Sequence, residues 1–298
     1  MCFSFFLSLK FEYLPNLCYR PEESYQQPYI DHNLTKQGNT NTFAVNVGEE
    51  NYYKRYLVMV QAMNQVGAGL KISDPVVAYS AESMPQVAPT SVYAIAHNST
   101  AMNVTWLPID TNREKLRGQL IGHRIKYWKL NQDPQLDALQ LLKRDPNEPW
   151  GLIVGLLPDT EYYIAVMAYN EAGAGPESEP FLARTFKAAP QQHPTSVNVT
   201  AIDGRSVLVT WRGISSLSAA EEPIKGYKVR YWDADHPITR AIEVYKYLDG
   251  GALQTIISDL VRGKAYKLRV LAFSNGGDGK MSEQVKKSTT NIATLLLC

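Results

Sequence analysis

Cysteine is nearly absent: Cys2, Cys18 and Cys298 are the only three in 298 residues. Their spacing forms neither a disulfide framework nor a CxxC metal knuckle. Charge of one sign is absent too. Thirty Lys and Arg against 29 Asp and Glu leave a net charge of +1. The concentrated basic face that nucleic acid or acidic lipid requires is therefore missing. No run of about 20 apolar residues occurs, which excludes a helical membrane span. No segment of helical length repeats its apolar residues every 3.6 positions.

Catalytic patterns are missing as well. His32, His97, His123, His193 and His236 show no metal-ligand spacing, and none joins a Ser or Cys in a nucleophile motif. Each is expected to be a solvated loop or strand residue. Asp110, Glu114, Asp133 and Asp137 form no carboxylate pair and read as solvating charges. The sequence thus predicts no enzyme, no catalytic residue, no metal site and no cofactor. Met1–Lys10 lacks the basic start and small-residue cleavage site of a signal peptide, and reads as a truncated or mis-joined start. At the other end, Leu295-Leu-Leu-Cys298 falls short of the 10–20-residue hydrophobic tail of a glycolipid-anchor signal.

What is present is a long-period repeat. Tyr56-Leu-Val-Met-Val-Gln-Ala-Met-Asn-Gln-Val-Gly-Ala-Gly69 aligns with Tyr162-Tyr-Ile-Ala-Val-Met-Ala-Tyr-Asn-Glu-Ala-Gly-Ala-Gly175. Both align with Tyr266-Lys-Leu-Arg-Val-Leu-Ala-Phe-Ser-Asn-Gly-Gly-Asp-Gly279. The offsets are 106 and 104 residues. A period near 100 is that of a domain rather than a solenoid repeat. Within each copy the side chains alternate, the signature of a strand. The Gly-rich end predicts a hairpin turn rather than a phosphate loop, because no helical pattern follows.

A second landmark lies upstream. Val104-Thr-Trp106 and Val209-Thr-Trp211 each close an alternating apolar strand. About twenty residues later come Ile125-Lys-Tyr-Trp128 and Val229-Arg-Tyr-Trp232. Short strands separated by polar loops at 107–122 and 212–226 predict a β-sandwich. Asp203-Gly-Arg205 reads as a hairpin turn.

The Trp strand, the Tyr-Trp strand, Leu156-Leu-Pro-Asp-Thr-Glu-Tyr162 and Asn170-Glu-Ala-Gly-Ala-Gly-Pro176 together resemble a fibronectin type III module. The resemblance covers roughly residues 11–288, and only partly in the first module. It implies an all-β fold of tandem seven-stranded, immunoglobulin-like sandwiches, with Trp106, Tyr162, Trp211 and Tyr266 in their cores. In that family the Tyr of the Leu-x-Pro-x-Thr-x-Tyr stretch is a tyrosine corner, its ring in the core and its hydroxyl on backbone. Leu260-Val-Arg-Gly-Lys-Ala-Tyr266 departs from the pattern, lacking the Pro and Thr.

Pro85-Gln-Val-Ala-Pro89 and Ala189-Pro-Gln-Gln-His-Pro194 read as linkers, since proline stiffens the chain and cannot extend a sheet ladder. They divide the chain into a partial module at 1–84, modules at 86–188 and 190–288, and a tail at 289–298. Judged by the repeat, the first module lacks its first two strands and their Trp. Its remaining strands are expected to miss their sheet partners and expose apolar edges.

Four Asn-x-Ser/Thr sequons stand at Asn33, Asn98, Asn103 and Asn198. Asn103 and Asn198 alternate with apolar neighbours on predicted strands, so both are expected to face outward. Asn98 is expected in a turn. All are candidate glycosylation sites.

A narrower resemblance follows. Gly226-Tyr-Lys-Val-Arg-Tyr-Trp232, Ser274-Asn-Gly-Gly-Asp-Gly279 and Ser282-Glu283 resemble the last fibronectin module of contactins, the invertebrate ones in particular. Gly122-His-Arg-Ile-Lys-Tyr-Trp128 and Ala168–Ser178 suit contactins and the L1/neuroglian group alike. This resemblance implies the later part of an extracellular adhesion molecule at the cell surface. Such a molecule carries immunoglobulin domains ahead of its fibronectin modules and a glycolipid (GPI) anchor behind them. It acts at axons, glia or septate junctions, with other cell-surface adhesion proteins as partners and no nucleic acid. Membrane attachment would come only through an anchor outside this fragment, and no partner-binding residue is implied. The alternatives are another receptor ectodomain, L1/neuroglian-like or receptor tyrosine phosphatase-like, or a structural spacer. A cytokine-type receptor fits poorly, because Gly277-Asp-Gly-Lys-Met-Ser-Glu283 stands where Trp-Ser-x-Trp-Ser belongs.

Overall fold

The computed structural model describes residues 3–9, 14–23, 30–33, 41–48, 50–64 and 66–289. Alternating segments become strands throughout. The only helices among the described residues are the single turn α1 (Arg113–Leu116) and a 3-10 turn at Ile238–Arg240.

The first unit contains β1 (Phe3–Leu9), β2 (Leu14–Pro21), β3 (Ile30–Asn33), β4 (Asn41–Gly48), β5 (Arg55–Asn64), β6 (Gly67–Ile72) and β7 (Val76–Tyr79). One sheet runs β3-β2-β5-β6, with β7 also on β5, and the other is the pair β1-β4. Leu17, Tyr19, Val45, Tyr56 and Val58 are buried between them. The second unit contains β8 (Thr90–Asn98), β9 (Ala101–Leu107), β10 (Gly122–Lys129), β11 (Leu139–Lys143) and β12 (Trp150–Val154), then β13 (Glu161–Asn170), β14 (Gly173–Ala174) and β15 (Phe181–Arg184). Its sheets run β12-β9-β8 and β11-β10-β13-β14, with β15 on β13. The third unit repeats this order. It contains β16 (Thr195–Ala201), β17 (Val207–Arg212), β18 (Ile224–Asp233), β19 (Ile242–Tyr247) and β20 (Gln254–Ile257), then β21 (Ala265–Ser274), β22 (Gly277–Met281) and β23 (Val285–Ser288). Its sheets run β16-β17-β20 and β19-β18-β21-β22, with β23 on β21.

One expectation is corrected here. In the later units β12 pairs with β9 and β20 pairs with β17. In the first unit β4 is not left without a partner, because β1 pairs with it antiparallel from Phe3↔Gly48 to Leu9↔Asn41. The segment at 3–9 thus takes the neighbouring place, and the ladder groups of β4 are met on that side.

The cores follow the alternation. Val104, Trp106, Ile125, Ile153, Tyr162, Ile164 and Val166 fill the second sandwich. Val209, Trp211, Tyr227, Val229, Ile257, Leu268 and Val270 fill the third. The repeated segment is the central strand of its sheet, so β13 is buried on both faces: Met167 and Tyr169 are as covered as Tyr162 and Ile164.

Candidate functional site

Tyr162 is buried, and its hydroxyl accepts a hydrogen bond from the Leu157 backbone N–H at 3.0 Å. Tyr266 does the same for Val261 at 3.1 Å, so the corner survives without the Pro and Thr. Trp106 and Trp211 are 4% and 6% exposed. The Trp211 ring lies 5.6 Å from Tyr227. The Trp106 ring lies 4.9 Å from His123, which stands on β10 where Tyr227 stands on β18.

His123 is the second correction. It is not solvated but 1% exposed, and neither ring nitrogen has a hydrogen-bond partner. Burial holds its pKa down to about 4, so the ring is neutral. Its strand parity, two residues before the inward-facing Ile125, and its alignment with Tyr227 both carried that signal. His97, His193 and His236 are exposed, and the side chain of His32 lies outside those described. Asp110, Glu114, Asp133 and Asp137 are exposed. Among the described residues no group of three His, Cys, Asp or Glu side chains is placed to hold a metal ion. Among the described residues no helix is long and apolar enough to cross a membrane. Cys18 is buried, while Cys2 and Cys298 lie outside the described residues.

The repeated Asn and Gly residues build the turns and then the joints between units. Asn170 Oδ1 accepts from the N–H groups of Ala172 and Gly173. Asn64 does this for Val66 and Gly67, and Ser274 Oγ for Gly276. Gly67, Gly173 and Gly277 supply the positive φ of the hairpin, at +146°, +137° and +114°. The next glycine has a different task. A Cβ on Gly175 would lie 2.7 Å from the Pro85 carbonyl oxygen and 2.8 Å from its Cβ, and Gly279 meets Pro190 in the same way. Each β13–β14 or β21–β22 hairpin is therefore a seat for the linker entering its own unit.

The loop after the Trp strand grips that linker from the other side. Ser83 N–H donates to Arg117 O and Gln86 N–H to Lys115 O; Ala188 N–H donates to Ala220 O and Glu222 N–H to Ala188 O. At the first joint the Glu82 carboxylate accepts from Gln119 and Glu171 N–H at 2.8 and 2.9 Å. Arg113 and Arg117 lie over the Tyr52 ring at 5.1 and 4.6 Å.

The outer faces of the larger sheets carry charges threaded with aromatic rings. In the third unit Lys228 and Arg230 bridge Glu243 and Asp278. Tyr245 and Tyr247 pack edge-on against Phe273 at 5.7 and 5.5 Å. Both tyrosines stay largely exposed. In the second unit Arg124 lies over Tyr169, Lys126 over Trp128, and Trp128 stacks on Tyr163.

Three of the four sequons lie on the smaller sheets, and Asn33 ends β3 in the larger sheet of the first unit. Asn103 lies mid-strand on β9 and Asn198 on β16. Asn98 closes β8, its Oδ1 accepting from Thr100 N–H. It stands beside the third unit, where Ser99 N–H donates to Gly276 O at 3.1 Å. The side chain of Asn33 lies outside those described.

Two sandwiches with this strand order, tyrosine corner and repeat define an immunoglobulin-like all-β class, and the sequence matches the fibronectin type III domain over residues 87–184 and 192–288. The chain belongs to that family. It is 49% identical to a contactin of Drosophila melanogaster over 263 residues, covering 87% of this chain and 19% of that protein. It is 31% identical to human contactin-4 over 234 residues, 78% of this chain and 21% of that protein. The chain thus spans about a fifth of the length of these curated relatives. The crystal structure of the FN1–FN3 domains of chicken CNTN1 shares the fold, with a TM-score of 0.56 at 19% identity, covering 98% of this chain and 96% of that one.

Proposed function

We propose that this chain is part of the ectodomain of a contactin-like cell-adhesion molecule, presented outside the cell at the plasma membrane. The observation that carries this reading is the 49% identity to the Drosophila contactin over 87% of this chain. The chain binds other cell-surface adhesion proteins and catalyses no reaction. Axon–glia contacts or septate junctions are its setting, and an anchor outside residues 1–298 holds it to the membrane. Modules at 1–84, 86–188 and 190–288 are its units. The secretory route makes Asn33, Asn98, Asn103 and Asn198 glycan acceptors. The outer face around Tyr245 and Tyr247 is the surface offered to partners, because exposed tyrosines beside charges of both signs are typical of protein interfaces.

The test is an antibody against residues 86–289 applied to living, unpermeabilised neural and epithelial cells. Surface staining that a phosphatidylinositol-specific phospholipase releases is the expected result. Staining that appears only after permeabilisation would overturn the reading.

A further inference from the structure

The smaller sheet of the second sandwich has an outer face left largely exposed among the described residues, with Lys143 over the Trp150 ring at 4.7 Å and Phe181 edge-on to Tyr93 at 5.0 Å. Its inward residues, Ala94, Met102, Val104 and Ile153, are all less than 5% exposed. Its outward residues are also apolar. Tyr93, Ile95, Leu107, Trp150, Leu152 and Val154 are between 39% and 61% exposed. Side chains of this size neighbouring one another on one face form a patch of the kind that soluble proteins rarely leave bare.

Asn103 stands in the middle of that patch. The register places Ile95 on one side of it and Leu152 on the other. Thr105 follows two residues later on the same face, between Tyr93 and Trp150. Both side chains that define the sequon therefore project from one spot. The Oδ1 atom of Asn103 is buried and has no hydrogen-bond partner. An unsatisfied amide oxygen among apolar side chains is a poor feature for stability and calls for a partner.

We propose that an N-linked glycan on Asn103 is the cover of this face. This rests on the secretory route proposed above. The sugar's hydroxyls and acetamido group supply donors near Oδ1, and its C–H faces lie against Trp150 and Tyr93. The third sandwich supports the assignment independently. Its sequon, Asn198-Val-Thr200, lies on the same face of the equivalent sheet, with Asn198 opposite Thr210 and Thr200 opposite Leu208, next to Ile256. The larger sheets of these two sandwiches carry no sequon. Attachment replaces an Nδ2–H bond by a bond from Nδ2 to C1 of the sugar. The donor is a lipid-diphosphate-linked oligosaccharide. The lipid diphosphate leaves with the bonding pair of the C1–O bond, and the amide proton passes to base.

The experiment expresses the full chain behind a cleavable leader in cultured animal cells. Peptide mass spectrometry reads occupancy at Asn103 and Asn198. Binding of a hydrophobic dye reads the exposed face. Thr105→Ala removes the sequon and keeps Asn103, whereas Thr105→Ser keeps the sequon. The expected result is an occupied Asn103, with dye binding raised about threefold or more by Thr105→Ala and unchanged by Thr105→Ser. Adding Trp150→Ser to Thr105→Ala returns the dye signal towards the parent level, which a partly unfolded protein does not do. An empty Asn103 beside an occupied Asn198 overturns this inference and leaves the surface reading intact. Occupied Asn103 with no rise in dye binding for Thr105→Ala also overturns it. The surface reading falls separately, on the staining of living cells.

Discussion

Tyr162 and Trp106 show how much of each sandwich rests on single side chains. The Tyr162 ring fills core, and its hydroxyl satisfies the Leu157 N–H at the entrance to β13. Tyr162→Phe keeps the ring and strands that N–H, so it is expected to cost about 1–3 kcal/mol. Urea melts of the second unit measure this. Trp106→Ala and Trp211→Ala remove far more buried surface and are expected to cost about 3–5 kcal/mol each in the same melts. A loss below about 1 kcal/mol would mean the strand register is wrong. His123 adds a pH dependence. Its folded pKa is about 4 against an ordinary value of 6.5. Between those values the unfolded chain binds more protons than the folded one, so stability falls as pH drops from 6.5 towards 4. The expected loss is on the order of 2–3 kcal/mol by pH 4. His123→Phe should flatten that part of the curve, as read by urea midpoints at pH 7 and pH 4.5.

The hairpin between the last strands shows what an element can disclose by itself. The Gly-rich end of the repeat predicted a turn, and Gly173 and Gly277 have the positive φ that it needs. Gly175 and Gly279 are required for another reason, the close approach of Pro85 and Pro190. Gly175→Ala is expected to cost about 1–3 kcal/mol as an overpacking change. It should also speed proteolytic cleavage near residue 85, measured on the same samples. Alternation and the period of 104–106 residues made the strands, their order and the Trp and Tyr positions legible, because each depends on local spacing. The linker's seat was not legible, since it joins segments 90 residues apart. The burial of His123 was legible in its parity beside Ile125, but a polar residue type outweighed that signal. The partner of β4 was not foreseen either, because pairing of β1 depends on a segment outside the repeat. Among the candidate functional features, the sequons could be read directly. The apolar face around Asn103 appeared only when β8, β9 and β12 were set side by side.

Across the molecule the same joint is made twice, from a linker, the loop after the Trp strand and the Gly-rich hairpin. The first joint adds Glu82, whose carboxylate takes two backbone N–H groups of the second unit. Glu82→Ala is expected to leave the melting of the second and third units unchanged within about 0.5 kcal/mol. It should broaden the distribution of intramolecular distances in small-angle scattering, and an unchanged distribution would show that Glu82 does not hold the joint. Both joints also lie in the path of any tension applied along the chain. When its ends are drawn apart, the modules bear the load in series. The bonds from Ser83, Gln86, Ala188 and Glu222 lie between linker and loop, outside any sandwich ladder. Tension is expected to open these before it shears a strand, and the freed linker then lengthens by its own few residues. On release the proline is expected to find its glycine seat again, so each joint should act as a short, resettable spring, seen in single-molecule pulling as a small reversible extension before any sandwich unfolds.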